Sequence, residues 1–156
     1  MGRKVLVAFD ESENAMRAVE FVYRHFTPDH QVTLMSVVPD TAALCQMAGP
    51  GLTPYFMSQK DAFCTLEDKK SELIQDAMAQ AKDRLVKAGF QEDRLFLKPT
   101  TQNKGVARDI LAEAGKGYDV IVLGRKGLSG IKDFLLGSIS QKVLHSAGDI
   151  PVLLVS

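Results

Sequence analysis

The chain has no excess of charge of either sign: 19 lysines and arginines balance 19 aspartates and glutamates. Bulk electrostatics therefore gives it no pull toward nucleic acid or an anionic membrane surface. It lacks any apolar run near the roughly 20 residues that a bilayer-crossing helix needs. Arg3-Lys4 leads straight into a short strand pattern, without the apolar stretch and cleavage site of a secretory leader, so a cytoplasmic location is expected. Cysteine is scarce, with only Cys45 and Cys64. Two cysteines in such a chain are expected to be reduced thiols, and their number gives no basis for a disulfide.

Several chemical motifs are missing as well. No Gly-Lys-Ser/Thr follows a glycine run, which removes the P-loop lysine. No Gly-x-Gly-x-x-Gly follows the first strand, which argues against a dinucleotide fold of the usual kind. His25, His30 and His145 are scattered without metal-ligand spacing, so no protein-held metal is assigned. Ser12, Ser129 and Ser140 sit in no recognisable nucleophile motif. No catalytic residue is assigned.

What the chain does contain is an alternation of two hydrophobic periods over its 156 residues, a length suited to one domain. Apolar runs at Val5–Phe9, Val32–Val38, Arg94–Lys98, Val120–Leu123 and Val152–Val155 read as strands, the third closed by Pro99. Between them lie helical spacings. The first starts at Ser12 as N-cap and places Ala15, Ala18, Val19, Val22 and Phe26 inward. The second runs from about Gln59 to Ala88 with Phe63, Leu66, Leu73, Ala77, Ala81 and Leu85 on one face, and ends at Gly89. The third spans Gly105 to Lys116, and the last Ser138 to about Ala147. Met16, Met35 and Met78 fall inside regular elements and read as core fillers. Strand and helix alternating in this way predict right-handed βαβ units: an α/β, Rossmann-like, mostly parallel five-stranded sheet with helices on both faces, one domain over residues 1–156.

One stretch, at about 40–58, keeps neither period. Gly49, Pro50, Gly51 and Pro54 interrupt it, yet it carries Leu44, Met47, Leu52, Tyr55, Phe56 and Met57. A loop this long is usually mobile or functional. It either covers a ligand site, contacts a partner chain, or packs its own apolar cluster on the surface.

The most informative segment follows the fourth strand: Gly124-Arg-Lys-Gly127, then Gly137-Ser138-Ile139-Ser140 opening a helix. Glycines after a strand let the backbone approach a ligand, and the free amides of a helix start favour an anion. Ser138 reads as an N-cap with Gln141 at capping-box spacing. Gly124 and Gly137 can also be read simply as a strand end and a loop break. Arg125 and Lys126 either add charge near a phosphate or stand as solvated loop residues.

Gly, two residues, Gly, nine residues, Gly, then Ser resembles the nucleotide-binding signature of the universal stress protein family. The opening Lys4-Val-Leu-Val-Ala-Phe-Asp10-Glu-Ser12 resembles that family's first strand, and Pro151-Val-Leu-Leu-Val155 its last. The resemblance implies the strand order 3-2-1-4-5, with the reversal between the first and fourth strands. In such sheets ligands sit beyond the carboxyl ends of the strands at the reversal. It further implies ATP as ligand, with Mg or Mn entering through the phosphates. The implied site places Ala8 and Asp10 at the first strand's end, with Asp10 accepting from ribose hydroxyls. Asp10 has a second reading, as a cap for the first helix. Val37 would offer backbone contacts to adenine. Gly124, Arg125 and Gly127 would lie along the ribose and first phosphate, and Gly137, Ser138, Ile139 and Ser140 along the distal phosphates.

The implied function is nucleotide-linked regulation or protection under stress, acting through binding and an unidentified regulatory protein partner. A slow ATPase or phosphate-transferring protein, and an interaction module whose crevice stays empty, are the alternatives. A homodimer through strand 152–155 is expected, because that apolar run ends the implied order as an edge.

Overall fold

The computed structural model describes residues 2–10, 13–47, 49, 51–125 and 138–156. Its elements run β1 (Lys4–Ala8), α1 (Glu13–His25), β2 (Gln31–Val38), α2 (Ala42–Cys45), α3 (Pro54–Lys87), a 3₁₀ turn (Glu92–Arg94), β3 (Leu95–Thr101), α4 (Val106–Ala114), β4 (Val120–Gly124), α5 (Ser138–Ser146) and β5 (Val152–Val155). All five strands pair in parallel, in the order β3-β2-β1-β4-β5. This is the order implied by the family resemblance.

The continuous apolar strands are explained by cover on both faces. Val5, Leu6 and Val7 of β1 are wholly buried, and successive residues face opposite layers. Val5 and Val7 join Val19 and Val22 of α1 and Met78 and Leu85 of α3 in one core. Leu6 and Ile121 join Ile110 and Ala114 of α4 and Val143 of α5 in the other. Of the expected first-helix residues, Ala15, Ala18, Val19 and Val22 are buried, while Phe26 follows the helix end at His25 and is partly buried against the same core. The cap expected at Ser12 lies outside the described residues.

The second long helix departs from the sequence expectation. It begins at Pro54, where Thr53 accepts a hydrogen bond from the Phe56 amide at 3.2 Å and proline takes the first helical position. Regular structure thus enters the segment 41–58 from both sides, as α2 and as the first turns of α3. Phe63, Leu66 and Leu73, expected inward, are 40%, 59% and 59% exposed. The reason is length. The 34 residues of α3 make about 50 Å of helix. Strands of four to eight residues reach roughly 13–27 Å. Only the C-terminal half, from Ile74 onward, has sheet beneath it.

Two further corrections concern proline and cysteine. Pro99 lies inside β3 rather than closing it, opposite Ser36. β3 is an edge strand, where a missing amide on the solvent side costs no ladder bond. Cys45 and Cys64, expected as free thiols, are joined in a disulfide with Cα atoms 5.9 Å apart. α2 packs on α3, and that packing brings together two residues 19 apart in sequence.

The turn before α4 shows how a local charge is used. Asp109 is buried and its carboxylate accepts from the amides of Asn103 (2.7 Å) and Lys104 (3.0 Å). Those backbone hydrogen bonds hold it below the ordinary aspartate range. Gly105, with φ of 137°, makes the turn that allows them.

Candidate functional site

The site is set by where β1 stops. β1 ends at Ala8, paired with Met35, whereas β2 continues to Val38. On the other side Val7 pairs with Val122, and β4 continues to Gly124. Among the described residues a notch therefore opens at the carboxyl edge, above β1 and between β2 and β4, at the point where strand order reverses. Asp10 stands two residues past the end of β1, at the same edge of the sheet.

Backbone alternation decides what faces the notch. In a parallel ladder one residue directs its amide and carbonyl to one neighbour, and the next residue to the other. Odd residues of β2 turn toward β1: Gln31 donates to the Arg3 carbonyl, and the Met35 carbonyl accepts from Phe9 at 2.7 Å. Even residues turn toward β3, as Val38 does in accepting from Gln102. The Phe9–Met35 bond is the last of the β1–β2 series among the described residues. Val37 is the next odd position, so its amide and carbonyl point past the end of β1. On β4 the odd residue Arg125 donates to the Val155 carbonyl of β5, so Gly124 turns toward β1, and its carbonyl accepts from Ser140.

Gly124 also serves the fold. A Cβ there would stand 2.9 Å from the backbone and the Cβ of Asn14, so the first turn of α1 packs directly on the end of β4. Asn14 is a determinant of the site's shape that sequence reading missed. It is one polar residue in a helix start, and nothing in its pattern marks the contact.

α5 closes the far side. Its described residues run Ser138–Ser146, and the residue before Ser138 lies outside the described residues. Ser140 is buried, and its hydroxyl lies 3.2 Å from the Gly124 carbonyl and 3.5 Å from that of Arg125, donating to them. That bond ties the start of α5 to the end of β4. Ile139 and Ala8 pack partly into the second core. The structure thus brings Ala8, Asp10, Val37, Gly124, Arg125, Ser138, Ile139 and Ser140 to the same edge of the sheet. Gly127 and Gly137 lie outside the described residues.

The strongest charge cluster lies elsewhere, toward the amino ends of the strands. Buried Glu113 accepts from Lys98 (2.7 Å), Lys116 (2.9 Å) and the Tyr118 hydroxyl (3.0 Å). Burial pushes its carboxyl up, and the hydrogen bonds from Lys98, Lys116 and Tyr118 outweigh that and hold it at about 2. This cluster pins α4 to the sheet.

A notch at the strand reversal, with Asp10 just past β1 and the backbone of Val37 on one wall, suits a nucleotide better than an extended polymer. Comparison with known proteins bears on this. A model of the universal stress protein family matches residues 1–156. The chain belongs to the universal stress protein family. It is 29% identical to the universal stress protein YxiE of Bacillus subtilis, over 99% of both chains. The solved structure of hypothetical protein MJ0577 is similar over 99% of this chain and 96% of that one, with a TM-score of 0.71 and 25% identity. Two universal stress proteins of the same fold were solved with small nucleotides. One is in complex with cAMP (TM-score 0.61, 19% identity, 99% of this chain and 96% of that one). The other, from Archaeoglobus fulgidus, is in complex with dAMP (TM-score 0.57, 15% identity, 100% and 98%). Among the described residues of this universal stress protein, no helix is long and apolar enough to cross a membrane.

Proposed function

We propose that this protein is a stress-response regulator or protectant that works by binding an adenine nucleotide, ATP in particular, in the notch beyond β1. The observation that carries this is the placement of Val37. Its amide and carbonyl face the notch as a donor and an acceptor side by side, the pair that the edge of an adenine ring complements. Asp10 just past β1 suits ribose hydroxyls. The start of α5, with Ser138 and the amides that follow, suits phosphate oxygens. The cAMP and dAMP complexes of relatives support an adenine nucleotide. Gly124, Gly127, Gly137 and Ser138, in the spacing of the family signature, support a ligand longer than a monophosphate.

With a triphosphate, a divalent cation such as Mg or Mn would be held mainly by phosphate oxygens and water. The side chains of the site orient and neutralise rather than attack, so the reading is binding rather than turnover.

The protomer is expected to work as a homodimer. Residues 153 and 155 of β5 face β4, since the Val155 carbonyl accepts from Arg125. Val152 and Leu154 therefore turn their backbone groups to the outer edge, where no described strand pairs them and a second copy around a two-fold axis would.

Denaturant unfolding with and without ATP tests the binding reading. At a hundredfold excess over the dissociation constant the gain is about 2.7 kcal/mol. An unchanged midpoint would defeat it.

A further inference from the structure

The described residues between β2 and Ile74 of α3 form an arm outside the core. Among the described residues from 39 to 73, none belongs to either apolar cluster. α2 has no buried residue. Among the described residues, two side-chain links join the α2 segment to α3 across more than ten residues of sequence. One is the Cys45–Cys64 disulfide. The other is Lys60, whose side chain is only 6% exposed and whose Nζ donates to the Met47 carbonyl at 2.6 Å. Both cysteines are half-buried, so solvent reaches the bond from the surface rather than through the core.

We propose that Cys45 and Cys64 form a reversible thiol–disulfide site that fastens and releases this arm, with a low-molecular-weight disulfide as its oxidant. Three observations point the same way. The bond lies outside the core, so its reduction leaves the sheet and its helices intact. Lys60 precedes Cys64 by four residues on α3 and so shares its face. The Lys60 ammonium, which also lies 3.9 Å from an Asp61 carboxylate oxygen, is the buried cation one turn from Cys64, and a nearby cation favours the thiolate, the attacking form. The Nζ of Lys60 sits on the carbonyl of Met47, two residues past Cys45, so the same ammonium holds the partner cysteine's segment close.

The exchange balances. The Cys64 thiolate attacks one sulfur of the external disulfide RSSR, and that S–S bond breaks with release of RS⁻. The Cys45 thiolate then attacks the Cys64 sulfur of the mixed disulfide, forms the internal bond and expels a second RS⁻. Two protein thiols are oxidised, RSSR is reduced by two electrons, and the two thiol protons leave with the two RS⁻ as RSH. Reduction by excess RSH reverses the sequence.

The test uses the whole protein and does not depend on nucleotide binding. Thiol trapping and mass analysis after equilibration in glutathione buffers read the redox state. Hydrogen exchange reads peptides within 51–63 and, as control, within β1 and β4. The account expects oxidised glutathione to close the pair. Reduction should raise exchange in 51–63 tenfold or more and leave β1 and β4 unchanged. The same release is expected in Cys45→Ser and Cys64→Ser, whatever the buffer. Lys60→Met should slow closure by oxidised glutathione about tenfold, in line with a lost cation beside the attacking thiolate. A pair that stays reduced in oxidised glutathione would overturn the proposal. So would unchanged exchange in 51–63, or exchange that rises across the whole sheet, and a wild-type closure rate in Lys60→Met would overturn the role given to that residue.

Discussion

Gly124 and Asn14 touch so closely that no side chain fits between them: a Cβ on residue 124 would lie 2.9 Å from the carbonyl carbon, carbonyl oxygen and Cβ of Asn14. The first turn of α1 rests on the end of β4, and the glycine that opens the phosphate segment is also a packing residue. Gly124→Ala should therefore lower stability even without ligand. Overpacking against backbone costs about 1–3 kcal/mol, read as a shift of the urea midpoint. A neutral substitution would show that the two elements are not in contact.

Ser138→Ala should leave stability nearly unchanged and weaken ATP binding. Ser138 is exposed at the start of α5, so its hydroxyl is free of core packing. Losing one hydrogen bond to a charged phosphate costs roughly 1.5–3 kcal/mol. That corresponds to about ten- to a hundredfold in dissociation constant. Calorimetric titration of the variant decides it, and wild-type affinity would remove Ser138 from the site.

These two glycine-loop positions show how unevenly the sequence spoke. Strand positions were legible because Val5–Phe9 and Val120–Leu123 are short apolar runs that only a doubly covered sheet accommodates. Asp10 and Gly124 were legible as strand-end residues. The start of α3 was misplaced by five residues because Gly49, Gly51 and Pro54 read as breakers. Thr53-Pro54 is nonetheless an N-cap followed by a first-turn proline, a signal present in the sequence. Phe63, Leu66 and Leu73 follow helical spacing but overhang the sheet, and no local pattern reveals where the sheet beneath a helix ends. The Cys45–Cys64 pairing depends on how α2 folds back on α3. The Gly124–Asn14 contact joins residues far apart in the chain. Neither was available to reasoning from periods and motifs.

Glu113 gives a pH dependence with a definite sign. Its folded pKa of about 2 lies below the ordinary 4.5. The unfolded chain therefore takes up a proton first as pH falls. The stabilisation is complete above pH ~5 and is lost between there and pH ~2, on the order of 3 kcal/mol. Glu113→Gln should be less stable than wild type at neutral pH and should show a shallower acid limb. Parallel stability–pH curves for the two proteins would contradict the assignment.

The outer edge of β5 predicts association. Sedimentation equilibrium at micromolar concentration should return twice the chain mass of 17.1 kDa. A monomer at that concentration would mean that β5 does not pair with its copy.

The central claim is that the notch beyond β1 holds an adenine nucleotide. Calorimetric titration of nucleotide-free protein with ATP, alongside mass analysis of small molecules released on denaturing the purified protein, addresses it most directly. The account predicts one nucleotide per chain, competition by other adenine nucleotides, and an adenine nucleotide among the released molecules. No heat with ATP, together with no released nucleotide, would contradict it.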